Sequence, residues 1–248
     1  MATLSTPAIV LRAVSYGEAD RVVTLFGRAT GRLSALARGA RKSQRRFAGG
    51  LGLGAVGDAS LRERAGAELL TLERFEITAA HAGFGADLAR MAHAAYAAEL
   101  VSKLCAPRQA EPSVYDFLFV FLERLERAPA SAERLRIFEL GLLGRLGFGP
   151  VVEGCAVCGR VTERDHRWDP DRGGAVCAGC GKVGRPLRTA VRAALARIAR
   201  TPLEDAEELS LPPDINQGCR EALAEIIKQH MSGPLHSVEF IAKMGGQP

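Results

Sequence analysis

The sequence predicts an α+β chain with a metal-binding insert, and three observations carry that expectation. Up to about residue 78, short apolar runs alternate with turn residues. From Asp87 onward the apolar residues recur at helical spacing. Two C-x-x-C pairs then interrupt the helical pattern. At 248 residues the chain exceeds the usual size of one hydrophobic core, so two or more modules are expected.

The β segment comes first. PAIVLRAV, RVVTLFG, GRLSALA, DASLRER and AELLTLERFEI read as five strands. Arg21 to Phe26 and Arg32 to Ala37 are separated by GRATG, whose two glycines suit a hairpin. Five strands in about 75 residues are enough for a small closed barrel, and the oligonucleotide/oligosaccharide-binding (OB) barrel has this strand count. A simple antiparallel sheet would give the same pattern.

The helices follow. DLARMAHAAYAAELVSKLC, from Asp87 to Cys105, carries Leu88, Met91 and Ala95 at helical spacing. PSVYDFLFVFLERLERA, from Pro112 to Ala128, opens with residues favoured at a helix start and ends before Pro129. SAERLRIFELGLLGRLGF, from Ser131 to Phe148, has Ser131 at a capping position. Two more helices are predicted at Pro186 to Arg200 and Asp214 to Met231, with a short last one after Pro234. The predicted boundaries are 1–80 for the β module, 81–150 and 186–248 for the two parts of a helical domain, and 151–185 for the cysteine module.

No run of about 18 apolar residues spans a bilayer. The best candidate, FLFVFL, is bracketed by Asp116 and Glu123. The N-terminus lacks a basic start and a small-residue cleavage site, so a cytoplasmic protein is expected, without a membrane partner.

Charge is concentrated. The chain has 33 basic and 28 acidic residues, a formal +5. ARGARKSQRRF, from Ala37 to Phe47, alone holds Arg38, Arg41, Lys42, Arg45 and Arg46 with no acid. A basic run is often only a solvated segment. One dense patch on an otherwise balanced chain, however, raises the local potential enough to attract a polyanion such as nucleic acid.

The cysteines are patterned as well. Cys155 and Cys158 form one pair and Cys177 and Cys180 another, with 18 residues between them. Each pair puts two thiolates on one tight turn, followed by Gly159 or Gly181, and the intervening residues can form a hairpin that joins the pairs. This fits tetrahedral zinc. Four thiolates leave no open position for an activated water, so the expected zinc is structural. His166 is a weaker candidate ligand, and Cys105 and Cys219 read as packed apolar residues.

Other signals lead away from catalysis. GLGAVG, from Gly52 to Gly57, matches G-x-G-x-x-G but leads into DASLRER rather than an apolar helix, so it reads as a glycine-rich connection. There is no phosphate-binding G-x-x-x-x-G-K-[ST] loop and no G-x-S-x-G elbow, and the five histidines form no visible catalytic set. No enzyme is predicted. Trp168, the only tryptophan, is expected in the core of the cysteine module rather than on a base.

YGEADRVVTLFGRATGRLSALARGARKSQRRF, with its G-x-R-K-S loop at Gly39 to Ser43, and LGLLGRLGFGP, from Leu140 to Pro150, resemble the bacterial recombination mediator family RecO. The likeness covers nearly the whole chain. It implies an N-terminal five-stranded OB-type β-barrel, then a helical domain with an inserted zinc-ribbon-like module of four cysteines. It also implies binding of single- and double-stranded DNA, annealing of complementary strands, and pairing with RecR to help load RecA onto DNA coated by single-strand-binding protein. Such a protein would be cytoplasmic and associated with the nucleoid. After the loop the chain reads FAGGLGLG, in which Phe47 is the only aromatic. Arg134, Arg136 and Arg145, on a strongly apolar helix, are candidates to accept the acidic C-terminal tail of single-strand-binding protein. The competing reading is a zinc-ribbon regulator or RNA-binding factor, in which Arg160, Arg164, Arg167 and Arg172 make the contacts, largely offset by Asp165, Asp169 and Asp171.

Overall fold

The structure is a computed structural model describing residues 3–43, 45–47, 50–63, 69–162, 166–231 and 233–238. Its contacts divide the chain into two units: Met1–Pro129 with Leu235–Gly246, and Ala130–Pro234 with Gln247–Pro248. The predicted 81–150 stretch is thereby divided. Its first two helices cluster with the β module and its third with the cysteine module.

The first unit is built on a closed barrel of β1 (Thr3–Tyr16), β2 (Asp20–Gly27), β3 (Gly31–Ala37), β4 (Val56–Arg62) and β5 (Leu70–Ala79) in the order β1-β2-β3-β5-β4. β1 is longer than the apolar run PAIVLRAV because it serves two neighbours. Thr3–Ile9 pairs with β4 and Ala8–Tyr16 with β2, and an irregularity between Val10 and Arg12 lets the strand bend between them. Closure rests on a short parallel contact, Ala35 with Leu70 and Leu36 with Thr71. Alternation along the strands sends Val23, Leu25, Leu33, Ala35, Leu61 and Leu72 into the core, and Phe47 and Leu51 fill it from the segment between β3 and β4. GLGAVG is a turn that runs directly into β4.

Two helices complete this unit. α1 (Leu88–Leu104) is capped by Asp87, whose carboxylate accepts the N–H groups of Ala89 and Arg90 at 2.9 and 3.1 Å. α2 (Pro112–Arg127) starts on a proline and buries Val114, Leu118, Phe121, Leu122 and Leu125 along one face. The connection between them runs against the β2–β3 turn, where Arg108 N–H donates to the Arg32 carbonyl at 3.0 Å. Gly31 sits there at φ 67°, and a Cβ would stand 1.8 Å from the Gln109 carbonyl oxygen, so only glycine fits.

The second unit contains α3 (Ala132–Arg145), β6 (His166–Asp169), β7 (Gly174–Cys177), β8 (Arg185–Leu187), α4 (Thr189–Arg200) and α5 (Pro213–His230). Ser131 caps α3 by accepting the Arg134 N–H at 3.2 Å. The strands form a sheet in the order β7-β6-β8. Trp168 on β6 is fully buried and its Nε1–H donates to the Ala222 carbonyl of α5 at 3.2 Å, so it is core and not a base platform. Beyond Pro234 only residues 235–238 are described, so the rest of the expected last helix lies outside the described residues.

Candidate nucleic-acid interface and metal centre

The basic segment leaves β3 at Ala37 and re-enters the barrel at Phe47. Gly39 makes the first bend at φ 65°, and its N–H donates to the Asp20 carboxylate at 2.8 Å. Its carbonyl accepts the N–H groups of Lys42 and Ser43 at 3.0 and 2.9 Å, which closes a turn. Arg41 ties that turn to the β1–β2 hairpin: its N–H donates to the Ala19 carbonyl at 3.0 Å and its Nη1 to the Glu18 carbonyl at 3.1 Å. Arg46 Nη2 donates to the Arg38 carbonyl at 2.7 Å, and its guanidinium lies 5.2 Å from the centre of the Phe47 ring.

All five cations are exposed. Arg41 and Arg46 spend part of their donor capacity on neutral carbonyls, which leaves their charge uncompensated. Among the described residues none of Arg38, Arg41, Lys42, Arg45 or Arg46 has a carboxylate partner. An ordered backbone therefore presents a dense positive field at one end of a closed barrel. Phe47 is 3% exposed and serves the core, so the loop's own aromatic offers no face to a base. Tyr16, 60% exposed on the hairpin that Arg41 grips, was not among the residues singled out in the sequence. The turn residues GEAD that follow it could have marked it as the last residue of a strand end.

The four predicted cysteines come together in the second unit, with their sulfur atoms all within 4.8 Å of one another. Gly159 N–H donates to the Cys155 carbonyl at 2.8 Å, with Gly159 at φ 71°, and Cys180 N–H donates to the Cys177 carbonyl at 3.0 Å. These tight turns present both sulfurs of each pair, and the 151–156 segment brings the pairs together by bonding to β7: Ala175 N–H donates to the Val151 carbonyl, Ala156 N–H to the Ala175 carbonyl, and Cys177 N–H to the Cys155 sulfur at 3.3 Å. An ion held by four sulfurs at about 2.3 Å would space them about 3.8 Å apart. Cys158 and Cys177 already stand at 3.9 Å. Burial opposes the Cys155 thiolate, but N–H groups of Cys177, Cys158 and Val157 outweigh it and lower that thiol to about 6. Cys180 is pushed the other way, to about 12, chiefly by its contacts with the Cys158 and Cys177 sulfurs. A set of crowded sulfurs that cannot all ionise alone is what a divalent cation would discharge, so the residues present fit a metal ion. His166 is not one of this cluster. Cys105 and Cys219 are buried, and burial pushes both thiols up to about 12, as suits apolar packing.

The family description "Recombination protein O N terminal" matches residues 1–81, and "Recombination protein O C terminal" matches residues 85–239. The chain belongs to the recombination protein O family. Among RecO relatives, the DNA repair protein RecO of Anaeromyxobacter sp. (strain Fw109-5) is 39% identical over 98% of this chain and 96% of its own. That of Myxococcus xanthus is 37% identical and that of Geobacter sulfurreducens 35%, each over 96% of both chains. The seam between the two RecO matches falls between the end of β5 and the start of α1, and the closed five-stranded barrel with a helical part fits the OB-plus-helical architecture of the family.

The expected tail site does not assemble as an open RecO surface. Arg134 is 2% exposed and bonded to Glu207, and Arg136 is 1% exposed beside Glu139 at 3.1 Å. α3 is buried on all sides from Arg134 to Leu140, so these two cations serve the interior. Arg145 alone of the three is exposed, and its Nη1 donates to the Gly141 carbonyl of its own helix at 3.0 Å.

Proposed function

We propose that the protein is a non-enzymatic recombination mediator in DNA repair that binds single- and double-stranded DNA through Arg38, Arg41, Lys42, Arg45 and Arg46. The observation that carries this reading is the array of five exposed cations without carboxylate partners, held on an ordered turn at the barrel end, in a chain of the RecO family. Guanidinium and ammonium groups replace counterions along the phosphate backbone, so binding is strong at low salt and nearly blind to sequence. Two strands held on a basic surface repel each other less and meet more often, and base pairing supplies the selection. Annealing then needs no chemical step.

Support for the wider role comes from the family likeness: relatives along the full chain are named DNA repair protein RecO. On that basis RecR, RecA loading and the tail of single-strand-binding protein are proposed as partners and outcome, at the nucleoid, with no surface of this chain assigned to them. The cysteine cluster is proposed to hold structural zinc, since four thiolates close the coordination sphere and leave no site for a reacting water.

The test is binding to a labelled random single strand over a salt series. If about four phosphates are neutralised, the log-log slope is roughly −3, and Arg41→Ala/Lys42→Ala/Arg45→Ala makes it shallower by about 2. A wild-type affinity independent of salt, or an unchanged slope in the triple variant, removes DNA from this loop. The mediator role is checked by RecA assembly on strands coated with single-strand-binding protein, which the wild type with RecR accelerates and the triple variant does not.

The ribbon alternative has less to work with. Arg172 donates to the Cys180 carbonyl at 2.9 Å and pairs with Asp169 at 3.5 Å, and Arg167 donates to the Gly184 carbonyl at 2.8 Å. Arg164 and Asp165 lie outside the described residues.

A further inference from the structure

Proteins that hold single strands combine a cationic path for phosphates with aromatic faces on which unstacked bases lie. The basic loop supplies the first and, with Phe47 in the core, not the second. Of the chain's 14 aromatic residues, the described structure leaves one strongly exposed: Tyr16, at 60%. Tyr96, Tyr115, Trp168, Phe26, Phe75, Phe84, Phe121 and Phe138 are all buried.

The position of Tyr16 is specific. It is the last residue of β1, paired with Asp20 across the hairpin end. The same Asp20 accepts the Gly39 N–H of the basic loop, and Glu18 and Ala19, in the turn between Tyr16 and Asp20, accept the two bonds from Arg41. The hairpin tip and the loop thus form one hydrogen-bonded rim, with Tyr16 as its aromatic and Arg38, Arg41, Lys42, Arg45 and Arg46 as its cations. Val14, two residues back on the same face of β1, is also exposed, at 42%, which extends the apolar surface under the ring. Exposing a large ring beside an apolar neighbour forgoes burial that the barrel could have used, and no described partner covers it.

We propose that Tyr16 stacks on a base of single-stranded nucleic acid whose phosphates lie on the basic loop. This rests on the DNA-binding reading of the loop and adds what the loop alone does not give, a preference for unpaired bases. A base inside a duplex is already stacked on its neighbours, so only a single strand gains from the ring.

The test compares Tyr16→Ala and Tyr16→Phe with wild type and with the loop triple variant, using a random single strand, its duplex, and a single strand carrying the fluorescent base 2-aminopurine. Tyr16→Ala is expected to lose about tenfold in single-strand affinity, within the range of about 5- to 150-fold for one stacked base. Its duplex affinity and salt slope stay at the wild-type values, and the protein-induced change in 2-aminopurine emission falls. Tyr16→Phe keeps the ring and keeps all wild-type values. Equal single-strand binding by Tyr16→Ala and wild type overturns the proposal, as does an equal loss on duplex. If the loop variant loses salt slope while Tyr16→Ala changes nothing, only the stacking inference fails. If the loop variant also binds like wild type, the DNA reading of the loop itself fails.

Discussion

His81 ties together three segments of the first unit. It sits between β5 and α1 at φ 47°, a left-handed conformation uncommon for non-glycine residues, which histidine, like asparagine and aspartate, adopts more readily than most. Its ring is buried, stacked on Phe84 with centroids 5.2 Å apart, with Nδ1 2.8 Å from the Gly54 carbonyl and Nε2 3.1 Å from the Glu123 carboxylate. Its bonds explain how the chain tolerates the backbone strain: they join the turn before β4 to α2. His81→Leu is expected to cost roughly 1–3 kcal/mol, because the Gly54 carbonyl loses its partner in a buried setting. Urea unfolding measures it, and a variant as stable as wild type would show that the Gly54 carbonyl does not depend on His81. Nothing in HAGFGAD announces this residue, since both of its partners are remote in sequence. Arg134 was hidden for the same reason. An arginine on a helix reads as surface until Glu207, from elsewhere in the chain, is found beside it.

The elements were legible where a periodic pattern was enough and illegible where pairing was non-local. Alternation in GRLSALA and the caps at Asp87 and Ser131 mark β3, α1 and α3 directly. The polar start of β1 carries no such signal, because Thr3 to Thr6 are ordered by β4 more than 50 residues away. Barrel closure through two residue pairs of β3 and β5 was equally hidden. The segment after Pro234 is another case. The Glu99 carboxylate of α1 accepts the N–H groups of His236 and Ser237 at 3.0 and 2.8 Å and the Ser237 hydroxyl at 2.5 Å. Burial raises the Glu99 carboxyl, but these bonds outweigh it and hold it below its usual range. A depressed carboxylate contributes stability that is full above its ordinary value near 4.5 and lost as pH falls through the folded value. Glu99→Ala at neutral pH is therefore expected to speed hydrogen exchange at the Ser237 amide, and acidification of the wild type below that range to lower the protection of that amide relative to its intrinsic exchange rate at the same pH. Unchanged exchange in Glu99→Ala would mean that the segment is held by its apolar contacts alone.

For the whole molecule, the division into two units separates the two proposed jobs, phosphate binding and metal holding, that a single basic zinc module would merge. The dense cluster of solvent-facing cations without acid partners, Arg38 to Arg46, belongs to the first unit, whereas the cysteine cluster organises the hairpin of the second around Trp168 and α5. Metal loss should then act on stability in one place and leave nucleic-acid binding in the other. With Cys177→Ser/Cys180→Ser, or after chelation, the second unit is expected to lose hydrogen-exchange protection in β6 and β7, while the salt slope for single-strand binding at a temperature where the first unit stays folded keeps its wild-type value. The lowered Cys155 thiol gives this a pH direction. Its thiolate is favoured in the folded state, so its contribution is complete above its ordinary value near 9.0 and disappears as pH falls through about 6, and metal affinity weakens in the same direction. Acid should therefore loosen the second unit, with the loss of protection in β6 and β7 setting in as pH falls through about 6. If the cysteine variant instead lost the salt slope along with its hairpin, the phosphate contacts would have to be reassigned from the barrel end to the ribbon, and the RecO likeness would need a different division of labour from the one its exposed cations describe.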